Sequence, residues 1–246
     1  MEILIKTFIF IIGCCLGSFY ACIGYRIPNK INIIKPGSFC NNCKKPLKWY
    51  MNIPLFSYIF LKGKCYYCKE KIGINSFIIE LFTGLSFLLS YIIYGFSLEF
   101  FILIILLSIL SVTLISDFKY YYISDRVIIT GIILIYIVHF IFEKEYFNIT
   151  DYTLSGLGMF ILMLIIKIIG DKVFKRESLG GGDVKLMSIV GLTFGSIYTS
   201  LCSLFISSII ALVVSLLERK KEENIIPYGP FLIIGTIIVY IYITLI

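Results

Sequence analysis

The chain has 246 residues, of which 59% are hydrophobic and only 15% are charged, and its mean hydropathy is +0.96. This composition excludes a soluble domain with a single core and indicates a protein that crosses a membrane several times. The formal net charge of +7 is concentrated in short loops beside apolar segments, which suits anionic lipid headgroups and argues against a nucleic-acid partner.

Apolar runs along almost the whole chain predict an all-α polytopic membrane protein with about eight transmembrane helices. The first run is followed by no small-residue cleavage pattern, so we expect a retained helix and not a signal peptide. The expected organisation is a first helix in 1–24, an extramembrane loop domain in 25–75 and a helical core in 76–246. The expected spans are 3–24, 76–94, 98–116, 127–142, 152–169, 184–197, 198–217 and 229–246.

Lysine and arginine are distributed unevenly between the loops. Of the 22 such residues, 18 lie in the segments 25–75, 117–126, 170–183 and 218–228, whereas the segments between them on the other side carry only Lys6 and Lys144. Because cytosolic loops are enriched in Lys and Arg, the four basic segments are predicted to face the cytosol. Both termini are then expected outside.

Four of the eight cysteines lie in the loop domain as two C-x-x-C pairs, "CNNC" and "CYYC". Two such pairs complete a tetrahedral thiolate site, for which zinc is the expected metal in a reducing compartment and iron the alternative. Four sulfur ligands leave no position for water, so the expected role of the metal is structural. The ligands are Cys40, Cys43, Cys65 and Cys68. Between the pairs, the amphipathic stretch "WYMNIPLFSYIFL" (49–61) is suited to lie on the membrane surface.

The candidates for chemistry are carboxylates at cytosolic helix ends. The single histidine, His139, lies in an apolar run, and the absence of an H-E-x-x-H pattern excludes zinc metalloprotease chemistry. Asp125 and Asp183 both have a simple explanation as helix N-caps. Asp117 lies at the C-terminal end of its predicted helix, where the helix dipole disfavours a negative charge. Capping therefore does not explain its position.

Asp117 and Asp183 on one membrane face can share a proton, activate water and protonate a leaving amine, which is aspartic-protease chemistry. The three glycines before Asp183 allow close approach of an extended peptide substrate, although a flexible turn explains them equally well. These candidate substrate-positioning residues are Gly180, Gly181 and Gly182.

The sequence resembles the type IV prepilin peptidase family, membrane aspartic proteases of the G-x-G-D type. The similarity rests on motifs in order along the chain: "GSFYACIGYRIP" (17–28), the two C-x-x-C pairs, "DFKYYYISD" (117–125), "GGGDVKL" (180–186) and "IPYGPFL" (226–232). The resemblance implies that Asp117 and Asp183 are the catalytic pair. Ser124 and Asn41 each stand where the family usually has proline.

The resemblance further implies an endopeptidase that removes basic leaders from prepilins and pseudopilins at the cytosolic face of a bacterial inner membrane. It also implies N-methylation of the new N-terminus with S-adenosylmethionine, for which no residues can be assigned. Two alternatives remain: a transporter with an intramembrane acid relay, and an adaptor whose only site is the metal loop.

Overall fold

The computed structural model describes residues 1–143, 148–217 and 226–246. Lys144 and most of the basic segment 218–228, both used to predict the orientation, lie outside these ranges. The described helices are α1 (Glu2–Arg26), a 3-10 helix (Trp49–Asn52), α2 (Phe56–Phe60), α3 (Asn75–Tyr94), α4 (Leu98–Tyr120), α5 (Asp125–Glu143), α6 (Ile149–Phe174), α7 (Gly181–Phe194), α8 (Ile197–Leu217) and α9 (Tyr228–Leu245).

Within the described residues, seven helices are long and apolar enough to cross a membrane: α1, α3, α4, α5, α6, α8 and α9. The prediction of an all-α, multi-pass membrane protein is therefore confirmed. The remaining expected span, 184–197, is the 14-residue helix α7, which begins earlier and ends at Phe194. Gly195 follows with φ +60°, the left-handed conformation that commonly ends a helix.

The chain forms two compact units, Met1–Gly95 and Phe96–Ile246. In the first unit, α1 packs along α3 through small residues. A Cβ on Gly13 would lie 2.8 Å from the Cα of Gly84, and one on Gly17 would lie 2.9 Å from the Cα of Glu80. Membrane helices approach this closely only where side chains are small, so the glycines determine how near the two backbones lie.

In the second unit, α4 and α7 are the most enclosed helices. Ile102 and Leu106 of α4, and Leu186 and Met187 of α7, are fully buried. The short helix α7 contacts α5, α6, α8 and α9, while α4 contacts α5 and α9. Helix α7 is therefore enclosed by four other helices of the second unit.

Candidate active site and metal centre

Asp117 lies in the last turn of α4, because this helix continues to Tyr120, beyond the expected end of the span. Its side chain is buried, and its Oδ2 accepts a hydrogen bond from the backbone N–H of Gly229 at 3.1 Å. Gly229 belongs to the first turn of α9. The positive end of the α9 dipole thus faces the carboxylate, which offsets its unfavourable position at the end of α4.

Asp183 is the third residue of α7, and the N-cap of that helix is Gly180. The interpretation of Asp183 as the N-cap is therefore wrong. Its Oδ2 lies 2.9 Å from the position that a Cβ on Gly180 would take, while its Oδ1 is buried and makes no hydrogen bond within the described part of the chain. A buried carboxylate oxygen without a donor is unfavourable, so this oxygen is suited to carry a proton or to meet a bound molecule.

The two carboxylates converge beside Gly229. A Cβ built on this glycine would lie 3.1 Å from Asp117 Oδ2 and 3.4 Å from Asp183 Oδ1. The two oxygens therefore cannot be further apart than the sum of those distances. Two buried like charges within that distance favour the binding of one proton to the pair, and the two groups then titrate together.

Ile123 fills the space between the helices that carry this pair. Its Cδ1 would lie 2.6 Å from a Cβ on Gly229, and its Cβ would lie 2.7 Å from a Cβ on Gly182. Both glycines are therefore required by the position of one buried isoleucine. Each of the two residues lies in a motif that carries the resemblance, Gly229 in "IPYGPFL" (226–232) and Ile123 in "DFKYYYISD" (117–125), but nothing in the sequence indicated that they contact each other.

The three candidate glycines before Asp183 have different surroundings. Gly180 is the N-cap, and a Cβ there would lie 2.9 Å from Asp183 Oδ2, whereas a Cβ on Gly181 would meet nothing within 4 Å. Gly181 and Gly182 are part of the first helical turn and are not extended. Their role in positioning a substrate stays a prediction.

Two other polar residues considered from the sequence are engaged elsewhere. Asp125 begins α5, and its Oδ1 accepts a hydrogen bond from Lys185 Nζ at 2.7 Å in an exposed ion pair. His139 lies near the other end of α5, buried against Tyr152, with its Nδ1 3.1 Å from Glu143 Oε2. The structure brings neither residue to the Asp117–Asp183 pair.

The two C-x-x-C segments form the same turn twice. Lys44 N–H donates to the carbonyl of Cys40 at 2.9 Å, and Lys69 N–H donates to the carbonyl of Cys65 at 3.0 Å. Both lysines have positive φ, 57° and 60°. Each turn thereby directs its two sulfurs to the same side.

The four sulfurs lie within 4.8 Å of one another, and those of Cys40 and Cys68 are 3.8 Å apart. A tetrahedral ion with metal–sulfur distances of about 2.3 Å requires sulfurs about 3.8 Å apart. Backbone N–H groups of Cys68 and Tyr67 lower the pKa of the Cys65 thiol to about 6. Despite the Lys45 backbone N–H, burial and the neighbouring thiols raise the pKa of the Cys43 thiol to about 11. The first thiolate of the cluster is therefore that of Cys65. The cluster can hold a metal ion.

Arg26 connects the end of α1 to the loop that leads to this cluster. Its guanidinium is buried and donates to four backbone carbonyls at 2.7–3.0 Å, those of Asn32, Ile33, Pro36 and Gly37. A planar group with several fixed donors is suited to satisfy carbonyls on a tight loop. The motif "GSFYACIGYRIP" therefore includes a residue that orders the start of the loop domain.

Buried paired carboxylates carried by helices of a multi-pass membrane protein are the arrangement that a membrane aspartic peptidase requires. Two family models match the chain: the Bacterial Peptidase A24 N-terminal domain over residues 11–94 and the Type IV leader peptidase family over residues 102–216. No solved structure matches it.

Relatives cover nearly the whole chain. The prepilin leader peptidase/N-methyltransferase of Bacillus subtilis (strain 168) is 30% identical over 240 residues, which is 96% of this chain and 94% of the relative. The protein of the same name from Vibrio cholerae is 31% identical over 259 residues and all of both chains. The chain belongs to the type IV leader peptidase family.

Proposed function

We propose that this chain is a membrane aspartic endopeptidase that removes leader peptides from type IV prepilins and pseudopilins. The observation that carries the proposal is the convergence of Asp117 Oδ2 and Asp183 Oδ1 beside Gly229. The relatives named as prepilin leader peptidases support the substrate class. A transporter with an acid relay would need acids near helix midpoints, whereas these two lie in the last turn of α4 and the first turn of α7.

In the proposed reaction, a water molecule lies between the two carboxyl groups, one ionised and one protonated. The ionised group takes a proton from the water as its oxygen attacks the scissile carbonyl carbon, and the protonated group donates to the carbonyl oxygen. Transfer of a proton to the leaving amine then breaks the C–N bond. The N–H of Gly229 stabilises negative charge on Asp117 through these steps.

The same family resemblance supports N-methylation of the new N-terminus, with S-adenosylmethionine as the methyl donor. We assign no residue of this chain to that donor. For the cysteine cluster we propose zinc, bound by Cys40, Cys43, Cys65 and Cys68, in a structural role. Four sulfur ligands close the coordination shell, so this metal would not activate water.

We further propose that the metal loop and the catalytic pair face the cytosol of a bacterial inner membrane. The distribution of Lys and Arg supports this orientation. A basic leader would gain nothing from the basic loops by charge alone. Recognition therefore depends on the substrate's apolar helix packing laterally among these helices and on backbone contacts near Gly180–Gly182.

The test is reconstitution of the purified protein in vesicles with a leader-bearing prepilin and S-adenosylmethionine. Mass spectrometry should find the prepilin shortened by its leader, and a methyl group on the new N-terminus. Cleavage without methylation would support the peptidase activity and contradict the proposed methyltransferase activity. An intact prepilin would favour the transporter or the adaptor.

A further inference from the structure

One surface of the first unit has no role in the proposed chemistry. The 3-10 helix and α2 present four large apolar side chains outward, with exposed fractions of 80% for Trp49, 61% for Phe56, 62% for Ile59 and 80% for Phe60. The rings of Phe56 and Phe60 stack on each other at 6.4 Å. The 3-10 helix and α2 are in contact with each other, and we call these four exposed side chains the aromatic face. Exposed apolar patches of this kind mark interaction sites.

The position of this face relative to a membrane-spanning helix is fixed by two contacts. The backbone N–H of Leu55 donates to Glu80 Oε2 at 2.8 Å, and the Tyr58 ring lies 5.0 Å from that of Phe77. Phe77 and Glu80 belong to the first two turns of α3, which begins at Asn75. At a rise of about 1.5 Å per residue, α2 is held within about 8 Å of the point where α3 begins.

Helix α3 has 20 residues and is therefore about 30 Å long, so its first residue lies near the edge of the hydrocarbon core and α2 lies beside the interfacial layer. The hydrocarbon core is about 30 Å thick and the whole bilayer about 40–45 Å, so each interfacial layer is several ångströms deep. Aromatic residues with an apolar face are favoured in this layer. The aromatic face is therefore at a height where lipid is available to cover it.

The charge around the face selects the kind of lipid. Four exposed lysines flank the segment on both sides, and the sequence contains no Asp or Glu between residues 44 and 69. These lysines are Lys45, Lys48, Lys62 and Lys64. Basic residues near an anionic lipid surface are attracted to it. Apolar side chains surrounded by lysines match a bilayer that contains anionic lipids.

We propose that the aromatic face inserts into the interface of an anionic bilayer and holds the four-cysteine loop on the membrane surface. The proposal is independent of the peptidase chemistry, since it uses only residues of the first unit. It accounts for why the stretch between the two C-x-x-C pairs is amphipathic.

The protein contains a single tryptophan, Trp49, so the emission of the full-length protein reports on the aromatic face alone. The purified protein should be reconstituted in vesicles of phosphatidylethanolamine and phosphatidylglycerol, with and without lipids brominated on their acyl chains. We expect brominated lipid to quench most of the Trp49 emission and aqueous iodide to quench little. Strong iodide quenching without lipid quenching would place Trp49 in water and overturn the proposal.

Insensitivity of Trp49 to both quenchers would also overturn it, because the face would then be covered by protein, such as a second copy of the chain. Two reference variants calibrate the readings. Trp49→Phe with Phe19→Trp puts the tryptophan at a half-exposed position of the spanning helix α1, and should be quenched by brominated lipid. Trp49→Phe with Asn41→Trp puts it at an exposed position on the first C-x-x-C turn, and should be quenched by iodide.

A further variant tests whether α2 belongs to the face. Replacing Phe56, Ile59 and Phe60 together by serine, with Trp49 retained, should reduce quenching by brominated lipid at least twofold. The bound metal should be unchanged, since no ligand is altered. Undiminished lipid quenching in this variant would contradict insertion of α2.

Discussion

Adding one methyl group at each glycine around the catalytic pair gives a graded series of perturbations. Alanine at Gly181 places a Cβ in open space, whereas alanine at Gly182 places one 2.7 Å from the Cβ of Ile123. Alanine at Gly229 places one 2.6 Å from Ile123 Cδ1 and 3.1 Å from Asp117 Oδ2. Carbon atoms in contact are normally about 3.5–4.0 Å apart, so relief at Gly182 requires a displacement of about 1 Å.

The size of that displacement sets the expected effect on activity. Misplacing a catalytic group by about 1 Å costs about 100-fold in rate, and overpacking costs about 1–3 kcal/mol of stability. The value of kcat/KM for Gly182→Ala should therefore fall at least about 100-fold, with a loss of thermal stability. Gly181→Ala, whose Cβ meets no protein atom, should keep the thermal stability of wild type. The clash at Gly229 involves the end of a flexible side chain, so a smaller loss of about 10-fold is expected there.

The assay is kcat/KM for prepilin cleavage in reconstituted vesicles, together with thermal stability for each variant. Ile123→Val removes Cδ1 and should restore most of the activity of Gly229→Ala, but not that of Gly182→Ala, where the clash is with the Cβ of Ile123. Equal thermal stability of Gly181→Ala and Gly182→Ala would refute the placement of Ile123 between the helices. Rescue of both Gly182→Ala and Gly229→Ala by Ile123→Val would also refute this placement of Ile123.

Two predictions concern the metal and the orientation. The purified protein should carry about one zinc per chain, and serine at Cys40 and Cys43 should release it; stoichiometric zinc in a variant without the four loop cysteines would contradict the assignment. Single cysteines introduced at exposed positions in 25–75, in a background that keeps the four ligands and lacks the other cysteines, should react with an impermeant thiol reagent only from the cytosolic side. Labelling from the outside would reverse the orientation of both the loop and the catalytic pair.

The helices were predictable because each spanning segment is a run of about 20 apolar residues. The residue at which α4 ends and the residue at which α7 begins were not predictable, and the site depends on both. Helix α4 continues through the polar residues after 116, since a helix requires backbone hydrogen bonds and not hydropathy, and this places Asp117 inside its last turn. Helix α7 starts at Gly181, so Asp183 is beyond the cap position that its neighbours suggested.

The metal cluster was predictable because spacing alone brings the sulfurs of a C-x-x-C pair together. The hydrogen-bond partner of Asp117 was not predictable, because Gly229 is 112 residues away along the chain. Only the packing of α9 beside α4 brings the two residues together. The same is true of Ile123, whose importance lies in contacts with two distant glycines. Steric fit of this kind has no signature in composition or periodicity.

If Asp117 and Asp183 act as one unit in catalysis, a double-mutant comparison of kcat/KM for prepilin cleavage will reveal it. Asparagine preserves the shape of each side chain but cannot hold the charge or take a proton from water, so each single change should reduce kcat/KM by about 1,000-fold or more. The double variant should be little worse than either single one, because residues acting as a unit are not additive. Asp125→Asn is the matched control, since its exposed ion pair contributes at most about 1 kcal/mol, and it should retain most activity. A folded, membrane-inserted Asp183→Asn protein that cleaves prepilin at the wild-type rate would show that Asp183 takes no part in catalysis.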